Sequence, residues 1–461
     1  MSLMKGARAN VVDAIGNTPI VRLNKVASHV KSDIYVKLEF LNPGGSMKDR
    51  VALAIIKDAE RRGLLNPGST IIEATSGNTG AGLALVAAVR GYKCIFVMPD
   101  KMSVEKIAAL RAFGAKVVIC PTAVEPDDPR SYYEVTKRLV RETPNSYHSN
   151  QYHNPANPEA HYTSTAPEMW EQTGGEMDVF VAGMGTGGTI SGCGKYFKEK
   201  KPGFQIVGVD PIGSLYYEYV KTGRMTKPFS YYVEGIGEDF LPSTMNLDIV
   251  DTIMRVDDKE CFHMTRELVR QEGIFCGGSC GAAVAGAIRY AEQLGDVKKN
   301  IVVLLPDSAQ KYLSKIFDDE WMRSNGFLDE EDPLGTVRDL LSYKPKRSLV
   351  TAKHGDSLRN VINLMKEHGI SQVPVIDRGR LSGLLSELDL LNFLLKDPGK
   401  METPIDGLVE ADYATVTPET KIKLLRTIFN EAKIVCVLER DDLVGVITKI
   451  DLIEYLAQRR G

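Results

Sequence analysis

The sequence predicts an α/β protein: two subdomains on mostly parallel sheets, followed by a smaller internally repeated region. Three observations predict this. Short apolar runs near residues 34–38, 94–98, 116–119, 179–182, 205–209 and 301–305 alternate with helical stretches, as expected of parallel strands covered by helices on both faces. Three apparent strands run straight into turns rich in glycine, serine and threonine. Near the C-terminus a β-α-β-β-α pattern occurs twice, which marks an internal repeat. At 461 residues the chain is long enough for about three folding units with ample core. The expected division is a body at 1–326, a linker at 327–344, and repeats at 345–398 and 399–461.

The first turn is Asn42-Pro43-Gly44-Gly45-Ser46-Met47-Lys48-Asp49-Arg50, after an apparent strand at 34–40. A lysine at a strand-to-helix turn can be held partly dry. That lowers its pKa and lets its amine form a Schiff base with a carbonyl cofactor. The plainer reading is a surface lysine at a helix N-terminus.

The second turn, Glu73-Ala74-Thr75-Ser76-Gly77-Asn78-Thr79-Gly80, follows the apolar Ile71-Ile72 and leads into a helical run ending near Arg90-Gly91. Free backbone N–H groups and the helix dipole at such a place favour a carboxylate. Ser, Thr and Asn are also ordinary caps, but one cap residue suffices and this stretch offers four.

The third turn, Gly183-Met184-Gly185-Thr186-Gly187-Gly188-Thr189, follows Asp178-Val179-Phe180-Val181-Ala182. Backbone N–H groups of such a loop can cradle a phosphate. Gly183, Gly185 and Gly188 also satisfy G-x-G-x-x-G, and Asp210 ends the next strand about where a dinucleotide fold places its ribose-binding acid. A dehydrogenase would leave Lys48 and the Thr75–Thr79 loop idle.

The fourth, Cys276-Gly277-Gly278-Ser279-Cys280-Gly281, precedes an alanine-rich helical run. Ser279 can present a hydroxyl to a heteroaromatic nitrogen. The alternative is a glycine turn before a closely packed helix.

Together these segments resemble the fold-type II pyridoxal-phosphate enzymes of the β-family and, among them, the cystathionine β-synthases. The resemblance spans roughly residues 8–325. It includes Gly16-Asn17-Thr18-Pro19, Val97-Met98-Pro99 with Met102-Ser103, Gln151-Tyr152, Glu234-Gly235-Ile236-Gly237 and Leu305-Pro306-Asp307-Ser308. It implies pyridoxal 5'-phosphate as cofactor, with Lys48 as Schiff-base lysine and base for the Cα proton. It implies Asn78 at the ring hydroxyl, Ser279 at the pyridine nitrogen, and Gly185, Thr186, Gly187, Gly188 and Thr189 around the phosphate. Thr75, Ser76, Thr79 and Gln151 would bind the substrate carboxylate, with Gly77 and Gly235 also against the substrate. A neutral serine at the ring nitrogen should favour prompt β-elimination over transamination, after which a thiolate adds at Cβ.

The identity of the thiol separates two readings. O-acetylserine sulfhydrylases share the lysine turn and both loops, so a cysteine synthase is the alternative. Glu238 and Asp239 stand where that pattern has small neutral residues, and an acid there can pair with the ammonium of homocysteine, a group that sulfide lacks. Many animal synthases carry tyrosine at the position of Glu238. The expected reaction is replacement of the hydroxyl of L-serine by L-homocysteine to give cystathionine, with hydrogen sulfide released when L-cysteine is used. A third reading, an NAD-dependent or non-catalytic nucleotide sensor built around the repeat, leaves Lys48 unused.

The acidic Asp329-Glu330-Glu331-Asp332-Pro333 reads as linker. The repeats then resemble a tandem pair of CBS domains, a Bateman module. Each carries a hydroxyl-x-x-Asp signature, Ser386…Asp389 and Thr448…Asp451. The acids can bind ribose hydroxyls, and Ser386 and Thr448 a phosphate or adenosyl group; S-adenosylmethionine or an adenine nucleotide is the implied ligand. The same signature is a helix-capping box, and Glu387 would repel a phosphate at the first repeat.

Net charge is −3, from 57 basic and 60 acidic residues, which gives no reason to expect nucleic acid or a membrane as partner. No apolar run approaches the ~20 residues of a spanning helix, and no signal-peptide core precedes the body. Met1 and Met4 leave the native start open. Seven cysteines, an odd number with no CxxC, suit a reduced cytoplasmic protein. Lys201-Pro202-Gly203-Phe204 stands where human-like synthases carry a Cys-Pro-Gly-Cys motif. No N-terminal Cys and His ligands are found, so no haem is expected. The seven histidines are scattered and suggest no metal. The resemblance implies a homo-oligomer, a dimer through the body with tetramers or filaments through the repeats.

Overall fold

The strand Asn300–Leu305, Asn-Ile-Val-Val-Leu-Leu, lies at the middle of a six-stranded sheet and is buried almost throughout. In the computed structural model of the protein this sheet runs Ile20–Arg22, Asp33–Leu38, Asn300–Leu305, Val179–Gly183, Gln205–Pro211, Thr252–Val256. All pairings are parallel except that of the edge strand Ile20–Arg22. A second, fully parallel sheet runs Lys116–Cys120, Lys93–Pro99, Thr70–Ala74, Ser146–His148. The near-continuous apolar strands follow from burial on both faces. The structure describes residues 3–75, 77–122, 124–125, 128–328, 334–344 and 349–458; Ser76 and the acidic 329–333 stretch lie outside these.

Lys37 interrupts the apolar Asp33–Leu38 strand and is fully buried. Its ammonium donates to Glu168, to Gln172 Oε1 at 2.7 Å and to the Thr18 carbonyl at 2.5 Å. Arg50 makes paired contacts with Glu39, both at 2.8 Å, and with Glu168, both at 2.9 Å. The N–H groups of Asn17 and Thr18 also donate to Glu168. Burial alone would raise the Glu168 carboxyl, but Arg50 and Lys37 outweigh it and hold it at about 2. This network ties the Gly16-Asn17-Thr18 segment to the first turn of helix Lys48–Arg61.

The chain divides into two compact units, one ending at Leu328. In the second unit each repeat forms a three-stranded sheet. One is Ala352–Lys353, Gln372–Asp377, Arg380–Ser386; the other is Thr415–Val416, Ile434–Glu439, Asp442–Thr448. The repeats share a small core of Leu384, Ile434 and Cys436. The segment expected as linker carries helix Val337–Tyr343, whose Val337 and Leu340 pack with Leu425, Phe429 and Val437 of the second repeat. Among the described residues no helix is long and apolar enough to cross a membrane, and no group of three His, Cys, Asp or Glu can hold a metal ion.

Candidate active site

Three buried helices of the body begin without a side-chain cap. Helix Asn78–Arg90 starts after Gly77, helix Gly188–Lys200 after Gly187 and helix Gly278–Gln293 after Gly277. Four other helices of the body are closed by Ser103, Ser131, Asp257 and Asp318, while those opening at Lys48, Ala156, Ala166 and Tyr216 also lack a side-chain cap bond. An open helix N-terminus exposes unpaired N–H groups and the positive end of the dipole, which suits an anion. At Gly77 and Gly187 the backbone takes φ of +120° and +86°, a region that strains a residue with a Cβ.

Other contacts bring the three N-termini to one place. Gly235 lies between two of them: a Cβ on Gly185 would meet its carbonyl oxygen at 2.9 Å, and a Cβ on Gly235 would come within 3.9 Å of Ser279 Oγ. Asp307 joins the third: Asn78 Nδ2 donates to its Oδ2 at 2.8 Å, and the Gly277 N–H to its carbonyl at 3.0 Å. Ser46 also bridges to Asp307, which brings the lysine turn to the same point.

That turn is closed by Asp49, whose Oδ2 accepts the Gly44 N–H at 2.5 Å, and Lys48 opens helix Lys48–Arg61. Lys48 Nζ lies 3.5 Å from Thr186 Oγ1. Burial draws its ammonium down to about 8, partly offset by Glu238. The lysine thus gives up its proton far more readily than an exposed lysine does.

Thr75 Oγ1 accepts the N–H groups of Gly77 and Gly80 at 3.0 and 3.2 Å. Thr79 donates to Gln151 Oε1 at 2.5 Å. Gln151 is held by its own N–H on Glu73 Oε1 at 3.1 Å, and its carbonyl accepts from Asn157 Nδ2 at 2.9 Å. Asn157 Nδ2 also reaches Thr186 Oγ1 at 3.0 Å, joining Gln151 to the glycine loop. Glu73 is fully enclosed and also accepts from Ser149 Oγ and the Asn150 N–H, both at 2.6 Å. Burial raises its carboxyl to about 7 despite these bonds.

Around the glycine loop, Tyr216 donates to the Gly185 carbonyl at 2.6 Å, and Thr189 Oγ1 lies 3.2 Å from Nε2 of the buried His161. Glu238 is half-buried, and burial with the neighbouring Asp239 pushes its carboxyl well above the usual range; Asp239 is exposed. Both follow Gly237, whose N–H donates to the Met184 carbonyl at 2.6 Å. Asp210 accepts the Tyr217 N–H at 2.9 Å and holds the turn there. Of the residues singled out in the sequence, Lys48, Thr75, Gly77, Asn78, Thr79, Gln151, Gly185, Thr186, Gly187, Gly188, Thr189, Gly235 and Ser279 are brought together around this space. Glu73, which opens the second turn, and Asn157, His161 and Lys311, which no sequence motif announces, join them.

In the second unit both hydroxyl-x-x-Asp signatures form capping boxes. Ser386 N and Oγ donate to Asp389 Oδ2 at 2.8 and 2.5 Å, and Thr448 N and Oγ1 donate to Asp451 Oδ2 at 2.7 and 2.6 Å. Asp451 also pairs with Lys344 at 2.7 Å.

Comparison with known proteins fits this geometry. A family model described as pyridoxal-phosphate dependent enzyme matches residues 11–307, and one described as CBS domain matches 337–396 and 405–458. The chain is 40% identical to the cystathionine β-synthase of Dictyostelium discoideum, across 97% of this chain and 92% of that one. A hydrogen sulfide-producing enzyme from Fusobacterium nucleatum superposes with a TM-score of 0.63 at 39% identity, covering 67% of this chain and all of that one. An O-acetylserine dependent cystathionine β-synthase from Helicobacter pylori superposes with a TM-score of 0.62 at 37% identity, covering 68% and 99%. A fold-type II body with a lysine at its glycine-rich centre, two CBS domains after it in the sequence and a relative matched nearly end to end lead to one conclusion: the chain belongs to the pyridoxal-phosphate dependent enzymes of the cystathionine β-synthase family.

Proposed function

We propose that the protein replaces the hydroxyl of L-serine with the thiol of L-homocysteine, giving cystathionine and water, and releases hydrogen sulfide when L-cysteine is the substrate. The observation that carries this is Lys48: an amine drawn down to about 8 by burial, facing the glycine loop at 3.5 Å and standing among three uncapped helix N-termini.

These residues fit pyridoxal 5'-phosphate, which has an aldehyde, a ring hydroxyl, a ring nitrogen and a phosphate. Lys48 would hold the aldehyde carbon, Asn78 the ring hydroxyl, Ser279 the ring nitrogen, and Gly185, Thr186, Gly187, Gly188 and Thr189 the phosphate. When bound, the cofactor supplies an electron sink for the substrate Cα. The chain supplies binding and proton movement. Gln151, with its Oε1 engaged by Thr79, turns its Nε2 donors to the substrate carboxylate, joined by the open N–H groups near Asn78. Lys48 Nζ, as a free amine, takes the Cα proton and returns it once the thiol has added. Glu238 is proposed to receive the ammonium of homocysteine, with Asp239 beside it; a cation there would relieve the desolvation that raises the Glu238 carboxyl. Replacing each acid with alanine should raise the KM for homocysteine and leave sulfide addition unchanged.

For the C-terminal module we propose a regulatory or stabilising role with an adenosyl compound at Thr448 and Asp451, and a weaker counterpart at Ser386 and Asp389. A cytoplasmic homo-oligomer, at least a dimer, is the assembly we propose, and the seven unpaired cysteines suit that compartment. Deleting the chain from about residue 333 onward tests the module, since unchanged turnover and unchanged ligand response would leave it without a regulatory role.

The deciding experiment is the visible absorption spectrum of the purified protein on adding L-serine and then L-homocysteine. A cofactor band that changes with serine and returns as cystathionine accumulates supports the proposal. A band that ignores serine but responds to O-acetylserine, and returns on sulfide, identifies a cysteine synthase. Response to O-acetylserine with return on homocysteine would instead make the protein an O-acetylserine dependent cystathionine β-synthase, like the Helicobacter pylori relative.

A further inference from the structure

Asn78 has no choice of orientation. Its Oδ1 accepts from Lys311 Nζ at 2.7 Å and its Nδ2 donates to Asp307 Oδ2 at 2.8 Å. An ammonium only donates, so the amide oxygen must face Lys311. Asp307 is fixed in turn by Tyr312, whose hydroxyl donates to the same Oδ2 at 2.6 Å. One Nδ2 hydrogen is therefore committed to Asp307, and one remains to be donated into the site.

Lys311 is itself held in place. It ends the short turn Ala309–Lys311 that follows strand Asn300–Leu305, and its Nζ also reaches the Gly44 carbonyl at 3.3 Å. One side chain thus clamps the lysine turn to the start of helix Asn78–Arg90. Among the described residues Lys311 forms no ion pair within 4.0 Å; burial draws its ammonium down, and the charges of Asp307 and Asp49 offset this only in part. A desolvated cation with neutral contacts is poorly compensated in a protein interior, and an anion on the far side of Asn78 would supply what it lacks.

We propose that Lys311 is a positioning residue that fixes Asn78 as a hydrogen-bond donor to the cofactor's ring oxygen and, through its charge, holds that oxygen in the anionic form. This rests on the reading that Asn78 meets the ring hydroxyl. Lys311 touches neither substrate nor cofactor; it acts through the amide. A protonated ring hydroxyl would want an acceptor, and the clamp denies it one.

The test uses the full-length holoprotein without substrate. Its absorption spectrum separates the yellow form, with the ring oxygen ionised, from the colourless form, with that oxygen protonated. Lys311→Met should raise the colourless-to-yellow ratio roughly tenfold, the scale of a lost hydrogen bond involving a charged group, and should speed cofactor release into a scavenging apoenzyme. Lys311→Arg should stay within about twofold of the original ratio. Lys311→Gln can still donate to Asn78 Oδ1 without a charge, and should fall between Met and Arg. If Lys311→Met fails to fold, the Gln and Arg variants decide. Unchanged ratios and release rates in the Met or Gln variant would overturn the proposal while leaving the site reading intact. A wild-type protein that takes up pyridoxal 5'-phosphate with no cofactor band would overturn the site reading, and the proposal with it.

Discussion

Thr79 donates its hydroxyl hydrogen to Oε1 of Gln151 at 2.5 Å, so the two side chains act as a pair. With Oε1 engaged, Gln151 turns two Nε2 hydrogens outward, while the Thr79 hydrogen is already committed. Gln151→Glu should therefore place an anion where the substrate's own anion belongs. The expected result is a rise in KM for L-serine of roughly 100-fold, the range of a hydrogen bond to a charged group; Thr79→Val, which removes a bond between neutral groups, should give roughly fivefold. Steady-state kinetics with serine varied at saturating homocysteine check both, with a smaller change expected in kcat.

Lys48 should stand out among the lysines by its titration. An exposed lysine ionises near 10.4, whereas burial draws Lys48 to about 8. In cofactor-free protein at pH 8, about half of its side chains should be free amine. Labelling with a limiting amine-reactive reagent, followed by peptide mass spectrometry, should show Lys48 modification rising with pH and half-maximal near 8. A half-point near 10 would remove the physical basis for its readiness at neutral pH.

Glu73 should make folding depend on pH in an unusual direction. Its carboxyl is raised from 4.5 to about 7 in the folded protein, so the folded state binds the proton more tightly than the unfolded chain. Its favourable contribution is complete below about pH 4.5, is lost as pH rises through about 7, and is flat above. Asp49 and Asp210, both raised to about 6, act in the same sense, and Glu168, held at about 2, acts in the opposite one. The difference between wild type and Glu73→Gln isolates the one group. Urea unfolding should show a stability gap between the two proteins that changes by on the order of 3 kcal/mol from pH 4.5 to 8. A gap independent of pH would mean that Glu73 titrates normally.

Asp451 has two roles that one substitution can separate. It caps helix Lys449–Gln458 through Thr448 and pairs with Lys344. Asp451→Ala should lower the stability of the module by about 1 kcal/mol from the lost cap alone. If the same carboxylate also takes a ribose, titration calorimetry with S-adenosylmethionine or ATP should give heat with the wild-type chain and none with Asp451→Ala. Equal heats from both would confine Asp451 to capping.

Much of the fold was legible because its signals are local. The apolar runs at 34–38, 179–182 and 301–305 all fall within strands, since a strand buried on both faces must be apolar residue by residue. Each C-terminal repeat also forms the expected β-α-β-β-α pattern. The site was legible where chemistry demanded a run of special residues, as in the glycine loop and the lysine turn. It was opaque where partners are distant in sequence. Nothing around Lys37 announces Glu168, 131 residues away, and nothing around Asn78 announces Lys311, 233 residues away. Asn157 stands in a plain Asn-Pro context, and only the folded chain brings it to Thr186. The Ser386…Asp389 and Thr448…Asp451 signatures are a different case, because capping and ligand binding ask for the same side chains. Helix Val337–Tyr343 was hidden by the charged stretch before it, which outweighed its few apolar residues.

The glycine loop also divides the protein by what it can tolerate. A methyl group on Gly187 would sit 2.4 Å from the Met245 Cα, and one on Gly188 would collide with the Asn157 amide. These positions admit no side chain without moving backbone or buried neighbours, so the floor of the site is closed to gradual change. The rim at Glu238 and Asp239 is half-buried to exposed and can accept many side chains without disturbing that floor. A change in the accepted thiol should therefore arise by drift at the rim, and laboratory libraries aimed at new nucleophiles should recover working variants at 238–239 and almost none at the glycines of 185–188.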